Sequence, residues 1–399
     1  MQYTCLCPKC STTLEAEEEI LGAEVCCPNC NETFMCTELH EKKETPKKLN
    51  IAQQDYTPET IFKTASEKFA RIAGIEKIEG FSFSKLFKEV FAKHSSTEVE
   101  NGFVVGTEKT TPQLDEVEVN WPTPWIFVRM MIASIVVYFL FLYAFKEFEN
   151  LKLIPAIIMM GAFAIPISTL MFFFEINITR NISISHIAKL LFGGGVASLI
   201  ISLFLFELKI INSESLTWLG ASIAGPVEET GKLLAVLLIP GVNKYKYKIN
   251  GLLLGATVGA GFAIFETMGY AFEYMLMSGA AGENWLEMMT DVIFMRGVLS
   301  PLCHIIWTAI TCCALWRVKG DNVFDFRMLA DIRFLRLFAI PVVLHMIWNS
   351  PFDIPFYGKY IILGFIGWFI VISLLQEGLN EISRLKTNLE NENKDVSND

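Results

Sequence analysis

The sequence has no basic stripe. Its 33 lysines and arginines are outnumbered by 43 acids, giving a net charge of −10. That balance disfavours contact with a nucleic-acid backbone. There is no HExxH helix, so any catalytic metal would have to be held from separate segments. The start, MQYTCLCPKC, lacks a positive stretch followed by an apolar core, and no cleavable signal peptide is expected. No convincing inverted repeat relates the two halves, which weighs against a transporter built from one.

Apolar residues are plentiful, at 52% of the chain, but unevenly spread. Residues 1 to about 120 are polar and charged, whereas apolar blocks lie near 125–145, 153–174, 187–207, 216–240, 249–278, 293–316, 333–350 and 358–377. Most reach the ~20 residues a helix needs to cross a bilayer. The pattern predicts an all-α polytopic membrane protein of about eight transmembrane helices. The loop after the fourth block carries Lys244, Lys246 and Lys248, and that after the sixth carries Arg317, Lys319, Arg327, Arg333 and Arg336. The tail holds Arg384 and Lys386, while the intervening loops ELKIINSES and SGAAGENWLEMMTD are poor in both types. The positive-inside rule therefore expects both termini in the cytoplasm.

Seven of the ten cysteines fall in the first 36 residues. Cys7-Pro-Lys-Cys10 and Cys27-Pro-Asn-Cys30 are separated by 16 residues, a spacing suited to a tetrahedral Zn²⁺ site on two knuckles. A small structural zinc ribbon is expected, with cysteines serving metal rather than disulfides, and a thiolate site agrees with a reducing compartment. A linker and short amphipathic helices over residues 58–93 are expected to follow.

The apolar blocks contain charges. The stretch GPVEETGKLL places Glu228 and Glu229 within one turn of Lys232, so the lysine can reach either carboxylate. Glu266 lies in the fifth block, His304 with Thr308 in the sixth, and His345 with Asn349 in the seventh. An ionised side chain at the bilayer centre costs about 2.5–3.5 kcal/mol on insertion scales. Three glutamates and a lysine left apart would cost on the order of 10 kcal/mol by that scale. Gathering them into one site removes most of that cost. Pro226, Pro301 and Pro341 each precede a polar residue by two to four positions and are expected to bend their helices there. Gly251, Gly255 and Gly259 permit a close helix contact.

These four elements together, Glu228-Glu229-x-x-Lys232, Phe262-x-x-x-Glu266, His304 and His345-x-x-x-Asn349, resemble the PrsW-type intramembrane protease family, within the superfamily of CAAX prenyl endopeptidases. The likeness spans roughly residues 125–378. It implies cleavage of a membrane-anchored protein, such as an anti-sigma-type regulator, within the lipid bilayer. Peptide hydrolysis needs an activated water and a stabilised oxyanion. In a metal-free version Glu228, with Glu266, deprotonates water, His345 and Asn349 serve the oxyanion, and Lys232 orients Glu229. In a metal version His304, His345 and glutamates hold a second Zn²⁺. The competing readings are an inactive membrane scaffold and an ion-coupled transporter using the same buried network. The expected organisation is a zinc ribbon over 1–40, a cytoplasmic linker and small helical region over 41–123, a transmembrane protease-like domain over 124–378, and a disordered cytoplasmic tail over 379–399.

Overall fold

The computed structural model describes residues 3–16, 21–36, 40–41, 64, 67–68, 70–76, 78–208, 222–238 and 242–398. The chain divides into two compact units, Met1–Thr57 and Pro58–Asp399.

In the first unit β1 (Tyr3–Leu6) pairs antiparallel with β2 (Thr13–Ala16) and β5 (His40–Glu41). β3 (Glu24–Cys26) pairs antiparallel with β4 (Thr33–Met35). Each hairpin turn carries one CxxC. The residue after each turn's second cysteine, Ser11 at φ 56° and Asn31 at φ 58°, is left-handed, and its N–H bonds back to the first cysteine's carbonyl at 2.9 Å. The two knuckles thus repeat one geometry. Cys5 and Cys36 depart from the expectation of metal over disulfide. They are joined by a disulfide, because β1 and the end of β4 bring their Cα atoms to 6.1 Å, within bridging reach. The pair gives no support to a reducing compartment.

In the second unit the membrane helices are α1 (Ile126–Phe148), α2 (Ile154–Ile176), α3 (Ile184–Glu207, with a π turn at Leu190–Gly194), α4 (Ala224–Leu237), α5 (Lys248–Ala280), α6 (Trp285–Leu299), α7 (His304–Lys319), α8 (Ile332–Asn349) and α9 (Gly358–Asn398). Among the described residues seven spans are long and apolar enough to cross a membrane, with α6 and α7 counted as one. The expected fourth span is represented by α4 alone; its flanks, 209–221 and 239–241, lie outside the described residues.

Small residues set the closest approach. A Cβ on Gly255 would lie 2.3 Å from the Thr308 carbonyl oxygen, and one on Gly259 2.5 Å from that of His304. The glycine stripe of α5 therefore beds against α7 and fixes the depth of His304. The α6–α7 break follows Pro301: Ser300–Leu302 tightens to a 3₁₀ turn and Cys303 leaves helical geometry at φ −134°, ψ −113°. Pro341 sits inside α8, four residues before His345. Pro226 differs from expectation. It stands in the first turn of α4, where its missing N–H has no intrahelical partner to lose.

The segment before α1 contributes two short helices, Phe83–Leu86 and Ser96–Phe103. The expected run of amphipathic helices over 58–93 falls partly outside the described residues; 70–73 and 83–86 are helical and 87–91 is turn. Ala70, Ala73, Ile75, Val105 and Val117 share one core with the membrane helices, so this segment is not a separate domain. It is tied to one face of the bundle. Arg180 donates to Asn101 O at 2.6 Å, Lys386 to Val117 O at 3.1 Å, and Arg317 to Gly74 O. The expected disordered tail is instead helical to Asn398. Glu381 accepts from the N–H of Lys248 at 2.9 Å, Asn380 and Arg384 both reach Glu76, and Ile382 is buried.

Candidate functional site

Four helices supply the expected polar residues, and the bundle brings them together. On α4 one helical turn sets Lys232 beside both glutamates: its Nζ lies 2.8 Å from Glu229 Oε1 and 3.5 Å from Glu228 Oε2. The same ammonium donates to His304 Nδ1 on α7 at 2.9 Å and sits 4.2 Å over the Phe262 ring of α5. His304 Nε2 lies 3.1 Å from Glu266 Oε2 on α5. On α8, His345 Nδ1 is 2.9 Å from Glu229 Oε1, and its Nε2 faces Glu228 Oε2 at 3.7 Å. Lys232, Glu229 and His345 are essentially inaccessible, while the Glu228 side chain retains 10% exposure.

The bonding fixes two tautomers. An ammonium only donates, so His304 accepts at Nδ1 and its Nε2–H turns to Glu266. A carboxylate only accepts, so His345 carries its proton on Nδ1, towards Glu229. The three carboxylates then have distinct duties. Glu229 is anchored by Lys232 and His345. Glu266 is anchored by His304 and by an ion pair with Arg296 of α6. Glu228 has only the two long contacts, which leaves it the most acceptor capacity of the three. The charge count is also uneven: three carboxylates face Lys232 and Arg296.

Asn349 ends α8, one turn beyond His345, and enters none of these hydrogen bonds. Arg296 escaped the sequence reading. It is a lone arginine in an apolar run, the same signal that drew attention to Lys232. Its Nε also donates to Thr267 at 3.3 Å, and its guanidinium lies 4.4 Å over Tyr270. Trp307 was missed as well. Its ring lies 4.7 Å from that of His345, and it is fully buried.

Two groups of side chains have the composition and proximity to hold a metal. In the ribbon, Cys7 and Cys30 bring their sulfurs to 3.6 Å, and Cys10 and Cys27 to 3.5 Å. A tetrahedron with Zn–S bonds of ~2.3 Å has edges of about 3.8 Å, so the four thiols fit that ion. The Thr12 hydroxyl, hydrogen-bonded to Cys10, helps to bring that thiol down to about 6, towards the thiolate a metal requires. In the membrane unit the ligating atoms of Glu228, His304 and His345 lie within 4.8 Å of one another. His345 fits this role well, since Glu229 on Nδ1 orients Nε2 as second-sphere carboxylates orient zinc-binding imidazoles. His304 has both nitrogens engaged and would have to release Lys232 or Glu266.

No curated protein and no solved structure matches the chain. Residues 183–375, from the start of α3 into α9, match a family described as PrsW family intramembrane metalloprotease. The match takes in every polar residue of the cluster, and the part of this multi-pass chain from α3 into α9 is therefore of the PrsW type.

Proposed function

We propose that the protein is an intramembrane endopeptidase that hydrolyses a membrane-anchored protein, with Glu228 as the residue that activates water. The observation that carries this reading is the asymmetry among the carboxylates. Glu229 and Glu266 are each held by a cation and a histidine, and Glu228 is held by neither closely.

In this mechanism Glu228 takes a proton from a water beside His345 Nε2, and the water oxygen bonds to the scissile carbonyl carbon. Negative charge grows on the carbonyl oxygen. Lys232, which already faces Glu228, is the cation beside that charge, and Asn349, one turn beyond His345 on α8, is assigned as a further donor. The carbon–nitrogen bond then breaks as Glu228 passes its proton to the departing amine. Glu229 acts through His345 by holding its tautomer, and Arg296 acts through Glu266 by holding His304. The neutral His345 accepts at Nε2, so the oxyanion role expected for it passes to Asn349 in this scheme.

The family's description and the surplus negative charge favour a second reading, in which a divalent metal sits at Glu228, His304 and His345. Such an ion would supply a polarised water. In that reading Glu228 would serve as a ligand and not as the base, and Glu229 would still orient His345. The ribbon's Cys7, Cys10, Cys27 and Cys30 are proposed to hold a structural Zn²⁺ in a cytoplasmic N-terminal unit.

The test is cleavage of a panel of single-span substrates by the protein reconstituted in liposomes. Glu228→Gln is expected to lose at least 10²-fold in rate, the scale of general-base catalysis. A folded Glu228→Gln protein that cleaves as fast as wild type overturns the proposal.

A further inference from the structure

A cavity of about 190 Å³ borders the cluster at His304. Ala263, Met295, Leu299, Trp348 and Tyr360 give it apolar and aromatic walls. Thr267, Ser300 and Cys303 add small groups to the lining, and Arg296 forms one edge with its charge already paired to Glu266. The volume is below the ~300–1,000 Å³ of small-molecule sites and several times the ~30 Å³ share of one water. It suits a single side chain. One lining residue belongs to a strained turn. Phe356 at φ 59° and Tyr357 at φ 57° are consecutive left-handed residues without glycine, and Tyr357 lines the cavity. Backbone strain of this kind concentrates at ligand clamps.

We propose that this cavity is the subsite that receives one neutral, apolar side chain of the substrate next to the scissile bond, and thereby sets where the chain is cut. The inference rests on the protease reading above. The neutral lining selects the chemistry, contact with His304 sets the distance to the cut, and the volume limits the guest to one residue.

Two readouts on the full-length protein in liposomes test it. In the first, single-span peptides carrying photo-leucine at successive positions are crosslinked to Glu228→Gln protein and the adducts mapped by mass spectrometry. Adducts on Met295 or Leu299 are expected from one peptide position. In the second, the residue at that position is varied and cleavage termini are counted. Wild type is expected to prefer Leu and Phe over Asp and Lys by tenfold or more, the scale on which apolar pockets discriminate. Leu299→Trp, which fills the cavity, should shift preference towards Ala, and Tyr360→Ala, which enlarges it, should shift preference towards Trp. Either variant moving its preference as stated supports the subsite. Adducts scattered away from the cavity, or preferences that neither variant moves, overturn it while leaving the protease reading intact. Adducts in one register without cleavage by wild type keep the subsite and remove the protease reading.

Discussion

Lys232→Met tests whether one buried cation holds the site together. The ammonium bonds Glu229 at 2.8 Å and His304 at 2.9 Å, lies 3.5 Å from Glu228, and is fully buried. Methionine keeps most of the volume and removes the charge. Glu229 would then face hydrocarbon with only His345 to compensate it, and its Oε2 already has no hydrogen-bond partner among the described residues. Breaking one side of a buried pair costs about 3–5 kcal/mol. Removing both charges is different, because a neutral isosteric pair is often no less stable than the ion pair. The double variant Lys232→Met/Glu229→Gln keeps an acceptor for His345 Nδ1–H and should recover most of the loss, to within about 2 kcal/mol of wild type on that principle. Unfolding free energies in detergent, for wild type, both single variants and the double, give the coupling directly. If Lys232→Met is destabilised by less than about 1 kcal/mol, or the double is no better than the single, the cation is not what makes the buried glutamates tolerable. The double should remain inactive in either case, since His304 loses its donor.

Gly255→Leu should prevent normal assembly, because a Cβ there meets the Thr308 carbonyl at 2.3 Å and backbone cannot yield as a side chain can; folded yield by size exclusion checks it. Arg296→Met should lower cleavage more than folding by freeing Glu266 from its ion pair, whereas Arg296→Lys should retain part of the rate; equal rates for the two variants would contradict a charge-based positioning role. Full-length protein should carry zinc that Cys7→Ser/Cys30→Ser removes, read by elemental analysis on the purified chain. A chain truncated after the first unit, lacking residues 1–57, then reports metal at the intramembrane site alone, and a stoichiometric ion there would favour the second reading.

The site was legible because charge in an apolar run is costly, and the cost leaves a mark. Glu228, Glu229, Lys232, Glu266, His304 and His345 all announce themselves this way, and the structure brings all six together. Asn349 shares their motif but not their hydrogen bonds, since motif spacing fixes a helix face and not a contact. Arg296 bears the same mark at the start of the sixth apolar block, and α6 and α7 form one kinked run that carries it inward to Glu266. Pro301 predicted that kink, whereas Pro226 did not bend α4, because proline's effect depends on how many turns precede it. The tail and the segment before α1 were misread for one reason. Periodicity over 58–93 marks a buried face but not what covers it, and the tail's polar sequence marks none; the order of both comes from partners such as Glu76, Val117 and Lys248 that lie far away in sequence.

The depth of the cluster follows from helix arithmetic. One face of the bundle carries the start of α5, the end of α7 and the start of α8. Glu266 is eighteen residues into α5, His304 fifteen residues from the end of α7, and His345 thirteen residues into α8. At ~1.5 Å per residue these place the site about 20–27 Å from that face. The hydrocarbon core is about 30 Å thick, so the cluster lies in the far third. The near face is the one that bears Lys244, Lys246, Arg317 and Lys386, the side that the charge rule assigns to the cytoplasm.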